Sequence, residues 1–183
     1  MTKRNVKRMC YAALLAAMYL PLSLYAAVQV GNVRISFGSL PVVAAALLFG
    51  PVDAVIVAMV GEFFKQLLTY GVTYTTVLYL IPPALRGLVV GLGALALLSL
   101  RGQRLEERRM LCYAVCIVAA VCTTLGNTLV NWLDSVLMGY YFPGLILGDF
   151  VWRLIVGMIN AVVMSSLAIP LVKALRQRNA VSL

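Results

Sequence analysis

The chain has 183 residues, of which 63% are hydrophobic and 11% are charged, and its formal net charge is +9. A soluble domain of this size needs a polar coat that this composition cannot supply, so the sequence predicts an integral membrane protein. The basic residues stand mainly at the ends of apolar segments, which is typical of membrane topology and argues against nucleic-acid binding. The chain has four cysteines but no histidine and no Cys-x-x-Cys pair, so neither a metal site nor a disulfide is expected. No cofactor is expected either.

Six apolar segments predict an all-α fold with six transmembrane helices in a single domain over residues 1–183. A spanning helix needs about 20 apolar residues. The second segment is shorter, but it lies between the turn signals Gly31-Asn32 and Gly50-Pro51. The basic N-terminus leads directly into the first span, so no cleaved signal peptide is expected. The predicted spans are residues 9–30, 36–50, 52–70, 76–100, 110–138 and 150–175.

The first predicted helix carries two overlapping Ala-xxx-Ala pairs, formed by Ala12, Ala13, Ala16 and Ala17. Small residues at this spacing allow another helix to approach closely, because helix association in lipid depends on packing. The stripe therefore fits contact with a partner protein, packing within the chain, or chance in an alanine-rich sequence.

The basic residues also predict the orientation of the chain. Eleven of the fifteen Lys and Arg residues fall at positions 3–8, 101–109 and 173–178. With six spans, these three regions share one side of the membrane, and the positive-inside rule makes that side the cytoplasm. The expected location is the bacterial cell membrane, with both termini cytoplasmic.

The remaining ionisable and amide residues form stripes along the predicted helices. Charged groups inside a bilayer are costly and usually face a bundle interior or a cavity. Arg86 follows Pro82-Pro83, which is expected to kink the fourth helix. The stripes at helical spacing are Glu62, Lys65 and Gln66 in the third helix, Asn127, Asn131 and Asp134 in the fifth, and Asp149, Trp152 and Arg153 in the sixth.

These stripes predict a ligand pocket. In the expected orientation, Arg34 and the loops 71–76 and 139–148 are extracellular, and the polar faces lie toward that outer half. A polar, aromatic-rich pocket open to the outside suits an imported small molecule. The alternative is that the polar residues only link helices to one another. No hydrolytic motif and no phosphate-binding loop is present, so the chain is not expected to be an enzyme, and any ATP use is expected in a partner.

The sequence resembles the substrate-binding S components of energy-coupling factor (ECF) vitamin transporters, especially the folate type. The resemblance is carried by "RISFG", a proline in the short second helix, "FGP", and the later segment "LGNTLVNWLDSVLMGYYF" followed by an arginine. It implies a fold of six spans with a coupling subunit and two cytoplasmic ATPases as partners. It also implies that Ala12 and Ala16, or Ala13 and Ala17, pack on the coupling subunit.

The resemblance further implies roles for individual side chains around a vitamin. The residues implied in or near the pocket are Arg34, Phe37, Glu62, Asn127, Asn131 and Arg153. Arg34 and Arg153 would pair with ligand carboxylates. Phe37, Tyr74, Tyr140 and Trp152 would stack on a planar ring. Lys65 and Arg86 would add positive charge or neutralise Glu62, with Gln66 on the same face as Glu62.

Three departures from the folate-type pattern fall on predicted pocket positions. They are "EFFKQ" in the third helix, "LYLIPPALRGL" with Arg86 in the fourth, and "TYGVTYTT" in the loop between these helices. Folate is the first expected ligand, while another vitamin, a queuine-like base or pantothenate stay open. Two other classes are alternatives: a six-span scaffold of the cell envelope and a small membrane enzyme acting on lipids.

Overall fold

The computed structural model describes residues 3–30, 33–142, 144, 148 and 150–177, without the side chains of residues 3–5, 28–30 and 33–35. The described part contains six α-helices, one β-hairpin and two short 3-10 helices. In chain order these are α1 (Lys3–Leu24), β1 (Ala27–Val30), β2 (Val33–Ser36), α2 (Ser39–Phe49), α3 (Pro51–Tyr70), a 3-10 helix (Leu78–Leu80), α4 (Ile81–Arg101), a 3-10 helix (Leu105–Glu107), α5 (Arg109–Leu137) and α6 (Phe150–Gln177).

Helix α2 lies at the centre of the bundle, where it contacts α1, α3, α4 and α6. All of its residues except Leu40 are buried. A helix that is apolar on every side suits a position inside a bundle or within a membrane. It ends at Gly50, whose φ of 91° favours glycine, and Pro51 begins α3. The predicted short second helix and its Gly-Pro end are confirmed.

The first predicted span, 9–30, is wrong at its C-terminal end, and the all-α prediction omitted a hairpin. Helix α1 ends at Leu24, and β1 and β2 pair as antiparallel strands in which Ala27 faces Ser36 and Gln29 faces Arg34. The alternating β-branched residues on either side of Gly31-Asn32 are a hairpin signal. The apolar character of residues 25–30 concealed this signal within an apparent span.

Pro82 and Pro83 begin a helix where a kink was predicted. A 3-10 helix at Leu78–Leu80 comes first, and the prolines occupy the first turn of α4, where their missing N–H groups leave no hydrogen bond unmade. Arg86 therefore lies in the second turn of α4.

The three basic regions of the sequence meet at one end of the bundle. Arg8 of α1 and Arg176 of α6 both donate to backbone carbonyls near the C-terminus of α2, at Phe49 (2.9 Å) and Leu47 (2.6 Å). Arg176 also forms an ion pair with Glu106 in the loop between α4 and α5. The assignment of this end to the cytoplasm stays a prediction.

Three described segments are long and apolar enough to cross a membrane: Leu78–Arg101, Arg109–Leu137 and Phe150–Gln177. Helix α2 is apolar but shorter. These segments agree with the last three predicted spans, and the full count of six spans stays a prediction.

Candidate functional site

A cavity of about 710 Å³ lies between the helices, away from the end where the basic regions meet. Its walls come from α1 to α6 and from the loop after α3, and most of its side chains carry an oxygen or nitrogen. The lining residues are Tyr19, Ser39, Val42, Glu62, Lys65, Gln66, Tyr70, Thr73, Thr75, Tyr79, Pro83, Arg86, Thr123, Thr124, Asn127, Asn131, Asp134, Arg153, Val156 and Gly157. A cavity of this size suits a small organic ligand.

The wall formed by α1 and α3 is organised around the buried carboxylate of Glu62. Lys65 Nζ (2.8 Å) and Gln66 Nε2 (2.9 Å) donate to Glu62 Oε1, as their spacing of three and four residues allows. Tyr19 of α1 donates its hydroxyl to Glu62 Oε2 at 2.6 Å. The Lys65 ammonium group neutralises the charge of the carboxylate, and the two neutral donors satisfy its remaining hydrogen-bonding capacity.

The close packing of α1 against α3 at this point requires a glycine. A Cβ atom at Gly61 would lie 2.5 Å from Cγ of the Tyr19 ring. The absence of a side chain at Gly61 therefore allows the tyrosine ring to lie against α3 and to reach Glu62.

Arg86 lies at the inner limit of the cavity, where the polar lining meets the apolar core. Its Nε atom lies 3.4 Å from Thr123 Oγ1 of α5. It also lines a small recess whose other walls are buried core side chains, including Val43, Val90 and Met164. The second turn of α4 thus places a guanidinium group at the floor of the site.

At the opposite end of the cavity, α5 presents a carboxylate that links the 3-10 helix before α4 to the loop after α5. Asp134 Oδ2 accepts hydrogen bonds from the hydroxyl groups of Tyr79 (3.1 Å) and Tyr140. The hydrogen bond to Asp134 raises the pKa of Tyr140 above its ordinary value of 10.0. Thr73 and Thr76 bond each other nearby, so the rim is rich in hydroxyl groups.

Seven of the twelve residues predicted to bind substrate line this cavity: Glu62, Lys65, Gln66, Arg86, Asn127, Asn131 and Arg153. Tyr74 is 98% exposed and Trp152 is 45% exposed, and neither lines it. Phe37 is partly buried outside the lining, and Tyr140 reaches the site only through Asp134. The side chain of Arg34 lies outside the described residues. Ligand binding by any of the twelve stays a prediction.

Sequence reasoning missed all eight hydroxyl-bearing residues of the lining. The missed residues are Tyr19, Ser39, Tyr70, Thr73, Thr75, Tyr79, Thr123 and Thr124. Thr123 and Thr124 also bond backbone carbonyls one helical turn earlier, which satisfies their hydroxyl groups and makes them compatible with an apolar helix. Thr123 and Thr124 extend the stripe of Asn127 and Asn131 by one helical turn, and this spacing is the signal in the sequence that could have identified them.

The four alanines of α1 divide between two faces. Ala16 is buried in the core and Ala12 packs against it, whereas Ala13 and Ala17 are exposed. Leu14 and Met18 lie beside them with more than two fifths of their surface exposed. Of the two predicted pairs, Ala13 and Ala17 are therefore the pair available to a partner.

Comparison with known proteins identifies the family. The sequence model of the family described as "ECF-type riboflavin transporter, S component" matches residues 3–177. The chain belongs to this family. Membership makes this S-component chain a transport component and removes the scaffold and the lipid enzyme as alternatives. The resemblance to S components is confirmed at this level, and its folate-type assignment is not.

A solved structure supports the same fold. The structure described as "Structure and mechanism of the S component of a bacterial ECF transporter" is 20% identical to this S component and has a TM-score of 0.64. The match covers 94% of this chain and 97% of that chain. No curated protein matches the chain.

Proposed function

We propose that this S component binds a vitamin from outside the cell and passes it to a transmembrane coupling subunit driven by two cytoplasmic ATPases. In this proposal the chain crosses the bacterial cell membrane six times and both termini are cytoplasmic. The observation that carries the proposal is the polar cavity of about 710 Å³ in a chain that belongs to a transporter family. A site within the membrane that combines aromatic, hydroxyl and amide groups suits a partly polar small molecule.

Riboflavin is the first ligand to test, because the matched family is described by it. Its hydroxylated chain needs partners that donate and accept hydrogen bonds, and Asn127, Asn131, Thr73 and Thr75 offer both. Its planar ring suits the tyrosine side chains of the lining.

A folate-like ligand is the second candidate, and the charge of the lining favours it. Lys65, Arg86 and Arg153 face the cavity together with Glu62 and Asp134, so three bases stand against two acids. The surplus positive charge complements a carboxylate. Riboflavin is neutral and would not use this charge.

Binding to the purified protein distinguishes these ligands. Riboflavin fluorescence is expected to be quenched on titration with protein in detergent, and heat denaturation of the protein should restore it. Folate should compete only if the second candidate is correct. Mass spectrometry of small molecules released from gently purified protein gives an independent identification. Failure to bind or release either vitamin would contradict the proposed ligand class.

The exposed face of α1 supports the proposed docking on a coupling subunit. Replacing both Ala13 and Ala17 by leucine would fill the surface that allows a second helix to approach. The double variant is expected to keep riboflavin affinity and to lose co-purification with the coupling subunit and ATPases. Ala96→Leu, at an exposed position of α4, is the matched control and should co-purify normally. Undiminished co-purification of the double variant would argue against this docking face.

A further inference from the structure

Arg86 lies at the floor of the cavity without a direct ion pair to any described carboxylate. No carboxylate of the described residues lies within ion-pair distance of its guanidinium group, and its hydrogen bond to Thr123 is long at 3.4 Å. Glu62, on the neighbouring helix α3, already accepts hydrogen bonds from Lys65 and Gln66. A partly buried cation beside an apolar core is stabilised by a partner that accepts hydrogen bonds.

The geometry of the guanidinium group limits what this partner can be. Arg86 Nε faces Thr123, which leaves the two terminal nitrogens to offer a pair of parallel N–H donors. Such a fork matches two acceptors on one planar edge. A lone hydroxyl group or an aliphatic chain would fill only one of the two positions.

We infer that Arg86 is a specificity-determining residue that receives the acceptor edge of a fused pyrimidinone ring, in which a ring nitrogen stands beside a carbonyl oxygen. Flavins and pterins both carry this edge, so the inference specifies the ligand class within the proposed function, on which it rests. It also sets the orientation. The ring enters first, and its hydrophilic chain points to the rim.

The distribution of side chains along the cavity agrees with this orientation. The recess beside Arg86 has apolar walls that include Val43, Val90 and Met164, and the cavity itself carries Val42, Pro83 and Val156, which suit the faces of a ring. The opposite end carries Thr73 and Asp134 with their hydroxyl partners, which suit a hydroxylated or amide-containing chain.

Flavin analogues test the inference on the wild-type protein without any substitution. In 5-deazariboflavin and 1-deazariboflavin, one ring nitrogen of each acceptor pair is replaced by carbon. If Arg86 receives one of these pairs, the corresponding analogue should bind at least about tenfold more weakly than riboflavin, because a hydrogen bond to a charged donor is lost. The other analogue should bind about as tightly as riboflavin.

Variants at position 86 test whether Arg86 causes the difference in affinity between riboflavin and the analogue that binds more weakly. Arg86→Lys keeps a positive charge but removes the fork, and Arg86→Met removes both. Each variant should lose most of the preference for riboflavin over the sensitive analogue, as a double-mutant cycle requires of two groups in contact. Arg101→Lys, at the other end of α4, is the matched control and should keep the full preference.

The outcomes separate the inference from the proposed function. Equal affinity of the wild type for riboflavin and both analogues would overturn the role of Arg86 while leaving riboflavin as the ligand. An unchanged preference in the Arg86 variants would overturn it as well. If the wild type binds folate and no flavin, the comparison of folate with 5-deazafolate replaces the flavin comparison, and equal affinities would overturn the role of Arg86. If it binds neither vitamin, both the inference and the proposed vitamin site fail.

Discussion

Arg8 and Arg176 both donate hydrogen bonds to the C-terminal end of α2, and each forms an ion pair with a carboxylate. One ion pair is buried and the other is more exposed, so the two can be compared for their contribution to stability. Arg176 and Glu106 have side chains that are 9% and 4% exposed and lie 3.0 Å apart. Arg8 and Asp53 form the corresponding pair with side chains that are 45% and 18% exposed. The substitutions to compare are Glu106→Gln and Asp53→Asn, which remove one charge each and nearly preserve shape.

The buried pair is expected to matter far more than the exposed one. Removing one partner of a buried pair costs about 3–5 kcal/mol because the other charge is left uncompensated. The lower value applies here, since Arg176 Nε and Glu106 Oε1 are close but poorly aligned for a hydrogen bond. In a chain of this length, about 3 kcal/mol corresponds to a fall of roughly 6–12 °C in melting temperature. An exposed pair contributes about 0–1 kcal/mol, or at most about 4 °C.

Tryptophan fluorescence during heating in detergent measures both variants on one scale. A double variant, Glu106→Met with Arg176→Met, completes the experiment because replacing both buried charges by apolar side chains removes the uncompensated charge. It should recover part of the stability that Glu106→Gln loses. Equal shifts for Glu106→Gln and Asp53→Asn, or a double variant no more stable than Glu106→Gln, would refute the reasoning.

Three further substitutions have expected outcomes. Gly61→Ala should destabilise the protein by about 1–3 kcal/mol, because its Cβ would lie 2.5 Å from the Tyr19 ring, and an unchanged melting temperature would contradict this packing. Because the pKa of Tyr140 is raised by its bond to Asp134, stability from that bond is present below about pH 10 and lost as the pH rises through the raised value. Tyr140→Phe should abolish this alkaline loss in melting temperatures measured from about pH 8 to 11. Tyr74→Ala should leave riboflavin affinity within about twofold, since Tyr74 is 98% exposed, and a tenfold loss would restore its predicted stacking role.

Charged and amide residues of the candidate site could be predicted from the sequence because they stand out in helices that are otherwise apolar. Glu62, Lys65 and Gln66 are conspicuous in an apolar helix, and their spacing places them on one face whatever the tertiary structure. Tyr19 and Thr123 are not conspicuous, because hydroxyl-bearing residues are compatible with apolar helices. Their presence in the cavity depends on how α1 and α5 are rotated. This rotation follows from the packing of α1 against α2 and α3, and of α5 against α4 and α6, and not from local sequence.

Aromatic residues near the predicted outer ends were ambiguous for a different reason. Tyr74 and Trp152 suit ring stacking, but the same residue types also suit the interface between membrane and water. Their large exposed fractions favour the second environment. Only the position of a side chain relative to the cavity separates the two roles, and residue type carries no information about it.

The basic residues near both termini indicate the orientation of the chain, and two of them also hydrogen-bond to the end of α2. Inside a bundle, backbone carbonyls at a helix end need donors. Arg8 and Arg176 supply donors to the last turn of α2, at Phe49 and Leu47, so two of the eleven charges counted for orientation also complete this helix. Because the two arginines come from α1 and α6, they also hold the first and last helices at the same end of the bundle. The hydrogen bonds of α2 thus bring the start of α1 and the end of α6 to one end of the bundle, as an even number of spans requires. This argument does not depend on the membrane potential or on insertion, unlike the argument from the distribution of basic residues.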